Sequence, residues 1–321
     1  MTDAAHPPSI ARRLSSRLEV RMLALALLIA ATLSVLSPYF LKSNNLLNLL
    51  DQSVVVGIVA IGMTFVILTG SIDLSVGSVL GVTGILFGLA IRHVGIAPAI
   101  VLGVLAGGAA GAFSGFLIAR FGLAAFVVTL GVMAIGRSLA YIFSGATAIS
   151  DVPASLGDMV YFSVLGIPMN VAILGALYVL AWLYLTYTKG GRTIYAIGSN
   201  REAARTAGLN VLGYSVLPYV ISGALSAVAA VLLSAQILSI DPLAGTALEL
   251  DAIAAVVIGG ASLYGGRGSI VGTLIGVSIM VMIRNGLNLL GVSPFWQGSA
   301  IGSIIIAAVL VERLVSARTQ R

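Results

Sequence analysis

Long apolar segments follow one another along almost the whole chain, and this feature constrains the fold more than any other. A helix needs about 20 mostly apolar residues to cross the hydrocarbon core of a bilayer. Candidate segments are residues 21–41, 53–70, 75–91, 97–118, 123–143, 163–187, 214–237, 251–264, 269–290 and 296–312. The sequence therefore predicts an all-α polytopic membrane protein of about ten transmembrane helices, some of them broken by Gly/Ser segments.

The composition supports a membrane protein and excludes several other classes. Hydrophobic residues make up 59% of the 321 residues and charged residues only 9%, whereas soluble domains carry about 25% charged residues. The net charge of +6 does not indicate a nucleic-acid partner, because the arginines cluster in a few loops. The chain has no cysteine, which excludes disulfides, thiolate nucleophiles and cysteine metal sites.

The basic residues predict an orientation. Most of the 17 lysines and arginines fall on one side of the predicted bundle when both termini are cytoplasmic, as the positive-inside rule requires. The predicted organisation is a cytoplasmic N-terminal segment (1–20), a transmembrane domain (21–312) and a cytoplasmic tail (313–321). Within the domain, residues 188–213 form a cytoplasmic loop and residues 144–162 lie outside.

A glycine repeat in the fourth segment predicts close helix packing. Gly103, Gly107, Gly111 and Gly115 recur every four residues, which places them in one stripe along a helix. Glycine lets a neighbouring backbone approach closely, and such contacts drive helix association in lipid. The stripe is interpreted as a structural packing surface, with a moving interface as the alternative.

Two stretches resemble each other and predict interrupted helices. "VILTGSIDLSVGSVLGV" (66–82) and "VVIGGASLYGGRGSIVGT" (256–273) both run from apolar residues through a small-residue break to a "GS" pair. The similarity suggests an internal repeat. Paired interrupted helices are common in transporters, near the substrate path.

The first of these breaks contains a carboxylate, Asp73, beside the hydroxyls of Ser71 and Ser75. A charge at membrane depth is costly, so Asp73 should have partners. If a helix starts near residue 74 or 75, Asp73 caps its N-terminus and fixes the break. The alternative, compatible interpretation is that Ser71, Asp73 and Ser75 line a translocation path.

The longest hydrophilic connection on the predicted inner side contains a short helix. Asn200 is a favourable N-cap, "REAARTAG" favours helix, and Gly208 is suited to end it. Arg205 follows Glu202 by three residues and can pair with it. The helix is interpreted either as a docking helix that fits a groove on a partner protein, or as part of an ordinary cytosolic loop.

The chain lacks the usual signs of catalysis. No G-x-x-x-x-G-K-[ST] motif is present, so ATP is not expected to bind this chain through such a loop. His6 and His93 are too far apart to suggest a metal site, and no Ser–His–Asp arrangement is readable. We therefore predict a transporter rather than an enzyme, either a subunit without its own ATPase site or a self-contained secondary transporter.

Three separate motifs resemble one known family. "TGSIDLSVGS", "GSNREAARTAGLNV" and "LDAIAAVVIGGASLYGGRGSIVGTLIGV" are similar to permease subunits of bacterial ABC importers for monosaccharides, the ribose-permease-like family. The resemblance implies a multi-pass inner-membrane protein, a permease homo- or heterodimer in the lipid bilayer, a cytoplasmic ABC ATPase that binds ATP and Mg²⁺, and a periplasmic or lipoprotein sugar-binding protein. It assigns these residues to the helix that couples to the ATPase: Glu202, Ala203, Ala204, Arg205 and Gly208.

The solute is less narrowly indicated than the family. Sugars need hydroxyl and amide partners, and Asn285 and Asn288 of the ninth segment are candidates for the path, although hydrogen bonds between packed helices would explain them equally well. Monosaccharides of the ribose type are the first expectation. Nucleosides and branched-chain amino acids are the alternatives, because related permeases carry them.

Overall fold

The computed structural model describes residues 18–164, 166–293 and 296–303, together with Ile306 and Leu310. Its helices are α1 (Leu18–Leu36), α2 (Ser43–Leu68), α3 (Val76–Val94), α4 (Ile96–Phe121), α5 (Ala125–Ser144), α6 (Ala154–Tyr161), α7 (Met169–Tyr187), α8 (Lys189–Ser199), α9 (Arg201–Thr206), α10 (Val211–Ile237), α11 (Leu248–Ile258) and α12 (Ile270–Leu289). A two-stranded hairpin, β1 (Ser163–Val164) and β2 (Ile167–Pro168), precedes α7. The predicted all-α polytopic fold is confirmed.

Eight helices in the described part of the chain are long and apolar enough to cross a membrane: α1 to α5, α7, α10 and α12. The predicted eighth crossing, 251–264, is wrong, because α11 has 11 residues and spans about 16 Å at 1.5 Å per residue. The second helix begins ten residues earlier than the predicted 53–70. Residues 296–303 are helical, and most of the remainder of the predicted tenth segment lies outside the described residues.

Helix α10 lies at the centre of the bundle and packs against α2, α3 and α4. The glycine stripe of α4 makes this contact close: a Cβ atom added at Gly107 would collide with the carbonyl oxygen of Gly223, and one at Gly111 with that of Tyr219. A Cβ atom added at Gly115 would contact Val216, which also belongs to α10. Gly103 instead faces α3 at ordinary van der Waals distance, so the stripe contacts two helices.

The helices at the edge of the bundle expose apolar side chains. Examples are Leu27 and Leu28 on α1, Leu105 and Phe113 on α4, and Ile142 on α5. Burying these side chains against lipid or another apolar surface removes them from water, which is the dominant favourable term in membrane insertion. The edge helices are therefore suited to contact lipid or a second subunit.

An irregular segment between α10 and α11 runs back into the bundle beside α3. Ile240 packs on Gly84 and Gly88, and Gly245 meets Gly77 near the start of α3. The guanidinium of Arg137 on α5 holds this segment, because its Nη1 donates to the carbonyls of Pro242 at 2.6 Å and Ala244 at 3.0 Å. Helix α11 therefore begins inside the bundle, which explains why it is short.

Candidate functional site

Asp73 is buried in the break between α2 and α3, with 2% of its surface exposed. Its Oδ1 accepts hydrogen bonds from the backbone N–H of Ser75 at 3.0 Å and from the Ser75 hydroxyl at 2.6 Å. Its Oδ2 accepts one from the hydroxyl of Ser222 on α10 at 2.8 Å. The carboxylate therefore fastens the break to the central helix.

The predicted N-cap position is wrong by two residues. Helix α3 begins at Val76 with Ser75 as its N-cap. Asp73, two residues before the cap, forms a turn in which its carboxylate accepts from the backbone N–H of Ser75. Neither Ser71 nor Asp73 lines the cavity between α2, α10, α11 and α12. The structure thus brings Asp73 and Ser75 together as part of the break, and Ser71 is only partly buried beside them.

The two similar sequence stretches meet in space, at what we call the glycine junction: Leu68, Gly70, Gly198, Gly265 and Gly266. The N–H of Gly266 donates to the carbonyl of Leu68 at 2.9 Å. A Cβ atom at Gly265 would lie 2.6 Å from the nitrogen of Gly70 and 2.9 Å from the carbonyl oxygen of Gly198. The junction therefore joins both breaks to α8.

Helix α8 is also fastened to the second break by a side chain. The hydroxyl of Tyr195 donates to the carbonyl of Gly268 at 2.9 Å. A tyrosine phenol is a protonated donor at neutral pH, and burial raises the pKa of Tyr195 further above its ordinary value. The N-terminus of α8 is capped by Thr188, whose hydroxyl accepts from the N–H of Gly191 at 3.0 Å.

Helix α9 follows α8 directly, begins after the predicted cap Asn200 and ends at Thr206, two residues before Gly208. The side chain of Asn200 accepts from the N–H of Ala203 at 2.9 Å, and Gly208 ends the turn with φ of +78°, a conformation that glycine adopts easily. Glu202, Ala203 and Arg205 are exposed.

Two expectations for α9 are wrong. Glu202 and Arg205 form no ion pair with each other, whereas ion pairs such as Arg92–Asp151 and Arg284–Asp251 form elsewhere in the described residues. Ala204 is 4% exposed and faces its own chain, so it is not available to a partner. A six-residue helix is too short for its sequence pattern to reveal which side is buried.

Asn285 and Asn288 lie in different surroundings and away from Asp73. The amide groups of Asn285 and Asn45 exchange two hydrogen bonds, of 3.0 and 2.8 Å, between α12 and α2. The exposed Asn288 accepts from Gln297 at 2.6 Å. Both amides are thus engaged by neighbouring side chains of this chain.

A cavity of about 310 Å³ lies between α2, α10, α11 and α12. We call it the polar cleft, after its polar lining residues Asp51, Gln52, Gln236, Thr246, Asp251 and Arg284. The Nη2 atom of Arg284 donates to both carboxylate oxygens of Asp251 at 2.8 Å. Sequence reasoning missed the cleft, although an arginine inside an apolar segment signals a buried partner.

Comparison with known proteins gives a consistent family. The profile of the family described as branched-chain amino acid transport system / permease component matches residues 45–311. The ribose import permease protein RbsC of Bacillus subtilis (strain 168) is 44% identical over 88% of this chain and 89% of its own length. The D-allose transport system permease protein AlsC of Escherichia coli (strain K12) is 37% identical over 91% of this chain and 90% of its own length.

The fructose import permease protein FrcC of Rhizobium meliloti is 34% identical over 97% of this chain and 91% of its own length. No solved structure matches the chain. The profile and the relatives extend over the bundle, both breaks and the α8–α9 segment, so the likeness is not confined to one motif. The chain belongs to the family of branched-chain amino acid transport system permease components.

Proposed function

We propose that this chain is the membrane-spanning permease subunit of a binding-protein-dependent ABC importer that carries a monosaccharide across the bacterial inner membrane. The observation that carries the proposal is the likeness, over at least 88% of the chain, to permeases named for ribose, D-allose and fructose. ATP hydrolysis then belongs to a separate cytoplasmic ATPase, and delivery of the sugar to a periplasmic or lipoprotein receptor. A second permease subunit completes the translocation unit.

The geometry of α8 and α9 supports a permease that is coupled to a separate ATPase. Helix α9 presents the exposed side chains of Glu202, Ala203 and Arg205, while α8 contacts both breaks through Gly198. A force applied to α9 by an ATPase therefore reaches the two breaks through direct backbone contacts. With α9 on the cytoplasmic side, the glycine junction is also cytoplasmic and the polar cleft lies toward the outer side of the membrane.

Uptake measurements test the proposal. The gene is deleted in its own host, and entry of radiolabelled ribose, allose, fructose, leucine and adenosine is measured with and without the restored gene. We expect loss and recovery of monosaccharide uptake alone. Loss of leucine or adenosine uptake, with every sugar unaffected, would assign the chain to one of the other solutes.

The energy source is tested in the same cells. An ionophore that collapses ion gradients while ATP is maintained should leave uptake intact, and inactivation of the partner ATPase should abolish it. The opposite pair of results would identify a secondary transporter.

A further inference from the structure

The polar cleft lies at the end of the bundle opposite the glycine junction. Asp51 and Gln52 belong to the first half of α2, and Gln236 is the last residue but one of α10. Asp251 lies deeper, in the first turn of α11. The cleft therefore extends from one end of the bundle toward its interior.

One wall of the cleft is organised around Asp51. Its Oδ1 accepts hydrogen bonds from the amide groups of Asn170 and, at 2.9 Å, Gln236. Among the residues that the structure describes, its Oδ2 receives only a long contact of 3.4 Å from the hydroxyl of Tyr161. These neutral donors fix the carboxylate in place and leave it capacity to accept a further hydrogen bond.

The other wall carries the Arg284–Asp251 pair. The Asp251 side chain is 7% exposed and the Arg284 side chain 40% exposed. Only Nη2 of Arg284 makes a hydrogen bond within the described part of the chain, so Nη1 and Nε remain as donors. The amide of Gln52 is exposed and has no hydrogen-bonded partner among the described residues.

This set of groups suits a neutral ligand with several hydroxyl groups. Each hydroxyl both donates and accepts, and the cleft offers carboxylate and amide acceptors beside guanidinium and amide donors. The two carboxylates outnumber the single guanidinium, so an anion is disfavoured. A zwitterionic amino acid needs an uncompensated cation for its carboxylate, and the positive charge of Arg284 is already balanced by the Asp251 carboxylate, although its remaining N–H groups can still donate to a neutral hydroxyl.

The size of the cleft agrees with one small ligand. Small-molecule pockets usually measure about 300–1,000 Å³, and about 310 Å³ is at the lower end of that range. Apolar residues such as Val56 and Met280 complete the lining and exclude water from around a bound ring. A single sugar ring fits these dimensions better than an oligosaccharide.

We propose that the polar cleft is a low-affinity monosaccharide subsite within the permease, formed by Asp51, Gln52, Gln236 and the Arg284–Asp251 pair. The proposal rests on the proposed function, since it names where the permease itself holds the sugar. A sugar released by the receptor at this end of the bundle enters the cleft and then moves toward the break between α11 and α12.

Ligand binding to the full-length chain in lipid nanodiscs tests the subsite. Saturation-transfer difference NMR is recorded with D-ribose, D-allose, D-fructose and L-leucine as probes. We expect a signal for at least one sugar and none for leucine. In Gln52→Leu the sugar should bind about fivefold more weakly, the factor expected for one lost hydrogen bond, and in Val56→Phe the added ring should abolish binding. Val179→Phe, at an exposed site on α7, should bind as the wild type does.

Several results would overturn the subsite: no sugar signal, a leucine signal instead, or wild-type sugar binding in Gln52→Leu and Val56→Phe. Uptake in cells separates this failure from failure of the proposed function. The apparent KM is set by the receptor, so the two variants should lower the maximal rate and leave the apparent KM unchanged. Full sugar uptake in both variants would leave the importer assignment standing and remove the subsite.

Discussion

The backbone N–H of Gly266 donates a hydrogen bond of 2.9 Å to the carbonyl of Leu68, although 198 positions separate the two residues. Leu68 is the last residue of α2, and Gly266 lies between α11 and α12. This bond joins the ends of two interrupted helices, and Gly198 of α8 fits against both partners. Helix α8 therefore contacts both breaks at once.

A methyl group at Gly198 should disturb this junction. Its Cβ would collide with the carbonyl oxygen of Leu68 and lie 2.5 Å from the nitrogen of Gly266, and such overpacking costs about 1–3 kcal/mol. Gly198→Ala should therefore lower the thermal unfolding midpoint of the purified protein. Gly175→Ala is the matched control, because no atom lies within 4 Å of its added Cβ and alanine favours helix by up to about 1 kcal/mol. Equal midpoints in the two variants would contradict the tight junction.

Replacement of Asp73 should distinguish its geometry from its charge. Asp73→Asn keeps an acceptor for Ser75, and the Ser222 hydroxyl can rotate to accept from the new amide, so we expect a loss of about 1 kcal/mol or less in unfolding free energy. Asp73→Leu leaves the buried hydroxyls and the Ser75 N–H without partners, at about 1–3 kcal/mol for each unsatisfied group. Denaturation of the detergent-solubilised protein measures both, and equally large losses would show that the negative charge itself is required.

Local features of the sequence predicted local structure well. The apolar runs gave most of the helices, and the Asn200 cap and the Gly208 turn follow from residues only a few positions apart. The Asp73–Ser75 contact has the same origin, since it spans two residues. These elements form because short-range hydrogen bonds and hydrophobicity decide them before the helices pack.

Long-range partners were not predictable from one sequence. Ser222 lies 149 positions from Asp73, and nothing in its own surroundings distinguishes it from the other hydroxyls of α10. The length of α11 differs from the predicted segment for a related reason: an apolar run does not reveal that the preceding segment enters the bundle and is held there by Arg137. The polar cleft depends on four helices coming together, so only the packed structure reveals it.

The Arg284–Asp251 pair should be mutually dependent. Arg284→Met leaves a buried carboxylate without its cation, and breaking such a pair costs about 3–5 kcal/mol; the 40% exposure of the Arg284 side chain favours the lower end of that range. The double variant Arg284→Met/Asp251→Leu removes both charges and should recover most of the stability. Unfolding midpoints are measured for the wild type, for Arg284→Met, for Asp251→Leu and for the double variant, which together form a double-mutant cycle. Additive losses would show that the two side chains do not stabilise each other.

The proposed orientation predicts a labelling pattern. Ser155 and Ser199 are both exposed, and the chain has no native cysteine, so single cysteines can be introduced at either site. A membrane-impermeant thiol reagent applied to spheroplasts should label Ser155→Cys and leave Ser199→Cys unlabelled until the membrane is permeabilised. The reverse pattern would invert the bundle and place the glycine junction outside.

The proposed docking of the ATPase on α9 is best tested at Ala203, because Ala203 is exposed and Ala204 is buried. Ala203→Trp should fold with a wild-type unfolding midpoint, yet its bulk should hold the ATPase away and abolish both co-purification and sugar uptake. Ser155→Trp, at an exposed site on α6, is the matched control and should co-purify normally. Ala204→Trp should instead lower the stability of the permease itself, since the ring cannot fit where a methyl group is enclosed.

The same experiment includes Gly208, where the backbone rather than the surface is altered. Its φ of +78° disfavours a β-branched side chain by about 1–2 kcal/mol, and no neighbouring atom would contact an added Cβ. Gly208→Val should therefore displace the end of α9, weaken ATPase co-purification and reduce uptake, while the transmembrane bundle keeps its unfolding midpoint. If both Ala203→Trp and Gly208→Val retain wild-type co-purification and uptake, α9 is not the docking helix and the ATPase must bind another surface.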